Sequence, residues 1–177
     1  FSFNINNKFK VKNLAINSSI LIDSSQFKKN NLINKNFIEI NDLIDLKDHE
    51  IKATYSNKKL SIKGKGQVKI QNKFELINYE ITNNDSDLNL VSNMELSELD
   101  IKNQSFIKEY LPKAKDILNL KDHKIELNYQ DNVLSLQGLG KIKLEKELNK
   151  IEYFFSTKDK KYNFKTALEI NDTPIKI

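Results

Sequence analysis

All four glycines of this chain fall in two Gly-x-Gly pairs, Gly64/Gly66 and Gly138/Gly140, and the pairs lie 74 residues apart. That distance is the period of an internal repeat. Shifted by 74, residues 46–103 align with 120–177 without a gap, and 18 of the 58 aligned pairs are identical. Leu46-Lys47-Asp48-His49-x-Ile51 returns as Leu120-Lys121-Asp122-His123-x-Ile125. Tyr55 falls on Tyr129, Leu60-Ser61 on Leu134-Ser135, Ile77 on Ile151 and Tyr79 on Tyr153. A repeat of this size is a supersecondary unit copied side by side, each copy burying part of its neighbour. We place the copies at about 37–103 and 111–177, after a partial copy over 1–28, all in one module of residues 1–177. The chain opens on Phe1 and stops in mid-pattern at Ile175-Lys176-Ile177, so it reads as a segment of a longer array.

The dominant period is two. From Leu60 to Gln71 the apolar or glycine positions are Leu60, Ile62, Gly64, Gly66, Val68 and Ile70, with a polar residue between each. The second copy places Leu134, Leu136, Gly138, Gly140, Ile142 and Leu144 on one face, and Leu139 is the apolar exception on the other. Such alternation marks a strand with one wet and one apolar face. Ile51, Ala53 and Tyr55 alternate likewise, as do Ile125, Leu127 and Tyr129. Turns are expected at 56–59 and 130–132, where Asn and Asp tolerate left-handed backbone. Further strands are expected over 74–82, 88–101, 148–156 and 162–171, which makes each copy an antiparallel meander of four to five strands. Phe1, Phe3, Ile5 and then Leu14, Ile16, Ile20 and Ile22 continue the pattern at the start. Helix is expected only between repeats: over 105–119, capped by Ser105, and at most a short turn over 37–46. Residues 28–36 have loop composition. The fold class is therefore mainly β, a long antiparallel sheet of about nine strands. One apolar face of that size must close on itself, stack on another copy, or curve into an open groove around an apolar ligand.

The Gly-x-Gly pairs sit mid-strand on the apolar face and precede no helix, so they are not a phosphate loop. Glycine inside a strand marks a bend or a close approach. We read Gly64, Gly66, Gly138 and Gly140 as points where the sheet bends, the space being filled by Tyr55 or Tyr129 or left for a ligand. His49 and His123 are the only histidines and occupy equivalent positions, so they do not converge on one metal; a structural role is expected for each. There is no cysteine. Asp42, Asp45, Asp48, Glu50, Asp116 and Asp122 read as solvated loop charges. The lysines Lys63, Lys65, Lys69, Lys141 and Lys143 project from the wet face, where they serve solubility and protect against edge pairing, with anionic headgroups as the alternative contact. The net charge is +5, yet every cation is Lys. Nucleic-acid readers favour Arg for bidentate contacts, so no nucleic-acid partner is expected. No nucleophile–base pair, catalytic acid pair, metal cluster or cofactor loop is present in the sequence, so no enzyme, metal or cofactor is expected.

The repeated pattern Leu-Lys-Asp-His-x-Ile, then Tyr, then Leu-Ser-(Ile/Leu)-x-Gly-x-Gly-x-(Val/Ile)-Lys-(Ile/Leu), then Ile-x-Tyr, resembles the AsmA-like superfamily of Gram-negative envelope proteins, with TamB-like and YhdP-like repeat regions. The resemblance covers about residues 37–177. It implies a stretch of a repeating β-groove in the periplasmic part of an inner-membrane-anchored protein. That groove would carry phospholipid acyl chains between the inner and outer membranes and support outer-membrane integrity. The groove lining would then be Ile51, Ala53, Tyr55, Leu60, Ile62, Val68, Ile70, Ile125, Leu127, Tyr129, Leu134, Leu136, Ile142 and Leu144. The rival expectations are an adhesin-like β-repeat scaffold with a closed dry core, and a jelly roll of the lipopolysaccharide-bridge type.

Overall fold

The computed structural model describes residues 2–5, 11–28, 43–84, 87–103, 108–109, 115–144, 147–159 and 161–169. They form ten strands: β1 Ser2–Ile5, β2 Val11–Lys28, β3 Leu43–Ser56, β4 Lys59–Ile70, β5 Lys73–Asn84, β6 Asp87–Lys102, β7 Ile117–Gln130, β8 Val133–Lys143, β9 Leu148–Lys158 and β10 Lys161–Leu168. Every strand pairs antiparallel with its neighbour in sequence, in one curved, open sheet with β1 and β10 at the edges. The described strands form this one sheet and no second layer, so the stacked jelly roll and the closed scaffold are not the architecture they adopt.

The 74-residue period is reproduced strand by strand. β3, β4 and β6 start at 43, 59 and 87, and β7, β8 and β10 at 117, 133 and 161. Each copy is thus a four-strand meander. The hairpins between β3 and β4 and between β7 and β8 turn on Asn57-Lys58 (φ 49° and 63°) and Asp131-Asn132 (φ 52° and 60°). Two consecutive left-handed residues match the twist of a tight hairpin, and Asn and Asp adopt that conformation at low cost.

The junctions between copies also repeat. Ile22 pairs with His49 across β2–β3, and Leu96 pairs with His123 across β6–β7. Both partners have moved by one period, so β2 stands to the first copy as β6 stands to the second.

The helix expectation is corrected at its ends. Residues 117–119 open β7, and residues 43–46 belong to β3. Leu118 and Leu120 alternate with Asn119 and Lys121, and pairing to β6 on one side and β8 on the other favours the extended form. Lys108 and Glu109 have helical backbone; Lys28, the first residue of the loop expected over 28–36, instead ends β2, and residues 29–42, 105–107 and 110–114 lie outside the described residues.

The buried core is small and lies where the two copies meet, across β6, β7 and β8. Leu96, Leu99, Leu118, Leu120, Ile142 and Leu144 pack together, with Leu118 and Leu144 fully buried. Burying a side chain of this kind is worth about 1.5–3 kcal/mol. Over β3 to β9 the rest of the apolar face is mostly half-buried, while Ile16 and Ile20 on β2 and Tyr162 and Phe164 on β10 are exposed.

Candidate functional site: the open apolar face

The register lines up the expected apolar residues in rows that cross the sheet. One row runs Ser18, Ala53, Ile62, Ile81, Leu90, Tyr129, Leu134, Thr157, Tyr162. The next runs Ile20, Ile51, Gly64, Tyr79, Ser92, Leu127, Leu136, Phe155, Phe164. A third begins at Gly66 and runs through Ile77, Met94, Ile125, Gly138 and Tyr153 to Thr166. Nine strands at about 4.8 Å spacing make each of the first two rows about 38 Å long. No charged residue interrupts any of the three. Tyr55 pairs with Leu60 beside them.

Four of the expected lining residues behave differently. Ile142 and Leu144 are sealed in the core, 5% and 0% exposed, and are not on the open surface. Val68 and Ile70 lie opposite Glu75 and Lys73, so the apolar band ends at them. Glu75 is 3% exposed, and its carboxylate accepts hydrogen bonds from the backbone N–H (2.9 Å) and hydroxyl (2.8 Å) of Ser97. It fastens β6 where the apolar spacing shifts from Leu96 to Leu99. Its repeat equivalent, Asn149, is also fully buried.

The glycines seat aromatic rings. At Gly64 an added Cβ would lie 2.1 Å from Cζ of Tyr79, and at Gly138 it would lie 2.1 Å from Cζ of Tyr153. At Gly66 and Gly140 it would lie 2.4 Å from Cδ2 of His49 and of His123. The space is therefore taken by Tyr79 and Tyr153, not by Tyr55 and Tyr129 as expected, and by the two histidines. None of the glycines has positive φ. Left-handed backbone falls instead at Asp48 and Asp122, both at φ 52°. Asp48 and His49 together oppose Gly66, because Lys47 pairs with Gln67 and Glu50 with Lys65. Asp122 and His123 oppose Gly140 in the same way. Each is a β-bulge, which bends and twists the strand locally. The bulge turns the imidazole onto the apolar face, and the glycine opposite gives it room.

The hydrogen bonds fix the tautomer of His123. Its Nε2 lies 2.9 Å from the carbonyl oxygen of Lys141 and its Nδ1 lies 3.2 Å from the Tyr153 hydroxyl. A carbonyl only accepts, so Nε2 carries the proton and Nδ1 accepts from Tyr153. Burial lowers the His123 pKa from its usual value, and burial pushes the Tyr153 hydroxyl up to about 12. In the first copy His49 Nε2 meets the Gln67 carbonyl at 2.9 Å, while Nδ1 has no partner. Each imidazole thus bonds a backbone carbonyl of the neighbouring strand, and the described residues hold no cluster of three metal-ligating side chains.

The opposite face is ionic. Lys52 and Lys65 each reach Glu50 at 2.9 Å, and these two contacts pull the Glu50 pKa down to about 2. Lys63 pairs with Glu80, Lys69 with Asp45 and Lys141 with Asp122. Asp45, Asp48 and Glu50 thus sit in β3 and Asp122 in β7, not in loops. Asp116 precedes β7 and pairs with Lys108, and Asp42 lies outside the described residues.

A recess of about 750 Å³ crosses β6 to β10. Gly138 and its row neighbours run through its middle; Glu95, Lys124, Glu126, Glu152 and Lys165 lie beside them, together with Leu139, Phe154 and Ala167, their alternates on the ionic face. In the first copy those three positions are Lys65, Glu80 and Asn93. Leu139 was the sequence's one hint of it. Among the described residues no helix is long and apolar enough to cross a membrane.

No family model, no curated protein and no solved structure matches the chain.

Proposed function

We propose that this chain is a lipid-binding segment of a periplasmic bridge that conducts phospholipids between the inner and outer membranes along its apolar β-face, supporting outer-membrane integrity. The observation that carries the reading is the continuity of three uncharged rows on one face of an open sheet, with ion pairs on the other. A conduit needs no catalytic group. It needs a wall that buries acyl chain without choosing a register along it. Each buried methylene is worth about 0.8 kcal/mol, so a half-exposed strip of Ile, Leu and Phe suffices to hold a chain and let it slide. The repeat then supplies length. The resemblance of the Leu-Lys-Asp-His and Gly-x-Gly pattern to AsmA-like repeats points to the same use, and the inner-membrane anchor and periplasmic location rest on that resemblance.

Native mass spectrometry tests this. The chain purified from the periplasm of a Gram-negative host is expected to carry phospholipid-mass adducts, and Ile62→Lys or Leu136→Lys to lose them while the sheet stays folded. A wild-type chain free of lipid, with variants that unfold, would favour a dry scaffold instead.

A further inference from the structure

The two junctions that the sheet already contains show what its last edge is shaped to receive. Strands β2, β6 and β10 occupy the same place in successive periods. On the apolar face they carry one pattern, an apolar residue, a small hydroxyl residue and an apolar residue: Ile16-x-Ser18-x-Ile20, Leu90-x-Ser92-x-Met94 and Phe164-x-Thr166-x-Leu168. The first two are covered by strands that follow an Asp-His bulge. Ile16, Ser18 and Ile20 meet Tyr55, Ala53 and Ile51. Leu90, Ser92 and Met94 meet Tyr129, Leu127 and Ile125. Among the described residues no strand pairs with the outer edge of β10. Phe164 is 60% exposed, against 40% for Ile16 and half-burial for Leu90, its equivalents at the two occupied edges.

We propose that the outer edge of β10 is a docking edge for one antiparallel strand of the β7 type, a segment reading Asp-His-x-Ile-x-Leu-x-Tyr. An open edge presents unpaired N–H and C=O groups, and an added strand satisfies them while its alternate side chains set specificity. The register follows by moving the β6–β7 junction one period on. Phe164 faces the tyrosine of the incoming strand, Thr166 the leucine and Leu168 the isoleucine, which continues the apolar rows. On the polar face, Lys165 faces the residue equivalent to Asn128 and Ala167 the one equivalent to Glu126. The Glu126 position is then diagonal to Lys165, an opposite-charge neighbour. A β3-type strand puts Lys52 there, which is why the edge selects the β7 type. The proposal rests on junction geometry and not on the lipid cargo, so it fails or stands apart from the conduit reading.

Disulfide trapping tests it, because the chain has no cysteine of its own. A Lys165→Cys chain is mixed with synthetic peptides of residues 117–130 that carry a single cysteine at position 128, 126 or 124. Trapping should be several-fold greater for the 128 peptide. In an Ala167→Cys chain the preference should move to the 126 peptide. In an Asn163→Cys chain, which keeps Lys165, a peptide of residues 43–56 with its cysteine at position 56 should trap less than a 117–130 peptide with its cysteine at position 130. Equal trapping at all positions, no trapping, or capture of a second copy of the chain in preference to the peptide would overturn the proposal.

Discussion

The imidazole of His123 fills the place of a side chain that Gly140 lacks: a Cβ on Gly140 would stand 2.4 Å from the ring. The same relation joins His49 to Gly66, one period earlier. The bulge at each Asp-His pair and the glycine across from it are therefore one device, and a change to either member acts on both.

Alanine at Gly140 has to displace a ring that is held by hydrogen bonds at both nitrogens. Overpacking of this kind costs about 1–3 kcal/mol, more than the roughly 0.5–1 kcal/mol that removing a strand glycine returns. Gly140→Ala should therefore lower stability in urea denaturation. Gly138→Val should cost more still, since its Cβ alone would lie 2.1 Å from Tyr153. Unchanged midpoints in both variants would show that the glycines only mark the repeat.

Burial holds the His123 pKa below its usual value. The unfolded chain therefore takes up this proton first as the pH falls. Stability is complete above the unfolded pKa, about 6.5, and declines as the pH drops through the window below it. The denaturation midpoint should fall between about pH 7.5 and about pH 5, and the slope should be shallower in His123→Gln. Identical slopes in wild type and variant would contradict the assignment.

Tyr153 gives the opposite sign. Its pKa is raised to about 12 by burial. The stability it contributes is present below the unfolded value, near 10, and is lost as the pH rises toward about 12. Tyr153→Phe should remove that alkaline loss. It should also cost about 0.5–1.5 kcal/mol at neutral pH, the usual net worth of one hydrogen bond. An unchanged alkaline profile in the variant would refute this.

The core and the open face should respond differently to truncation. Leu118 is fully buried, so Leu118→Ala should cost about 2–5 kcal/mol. Ile62 is half-buried, and Ile62→Ala should cost about 1 kcal/mol. Equal losses in urea denaturation would mean that the open face is closed in solution.

Much of this architecture was legible in the chain. The 74-residue shift located both copies, and the two-residue period separated the faces at Ile51, Ile62, Leu127 and Leu136. The bulges were harder to see. Their signal is the step from Leu46 to His49, three residues where alternation gives two, at an Asp that tolerates left-handed backbone. Tyr79 and Tyr153 could not be assigned to Gly64 and Gly138 without the β4–β5 and β8–β9 registers, which a period-two pattern leaves free to slide. The 105–119 helix failed at its last turn because pairing on both sides of β7 decided the conformation there. Glu75 was hidden because burial of a carboxylate depends on Ser97, a partner 22 residues away.

The central claim is that the apolar face, and not the ionic one, meets lipid. A photo-crosslinking residue placed at Ile62 or at Leu136, in the periplasm of a Gram-negative host, tests it against one placed at Lys63 on the opposite face. The account predicts phospholipid captured at 62 and 136 and none at 63. Equal capture at all three positions, or none at any, would contradict it.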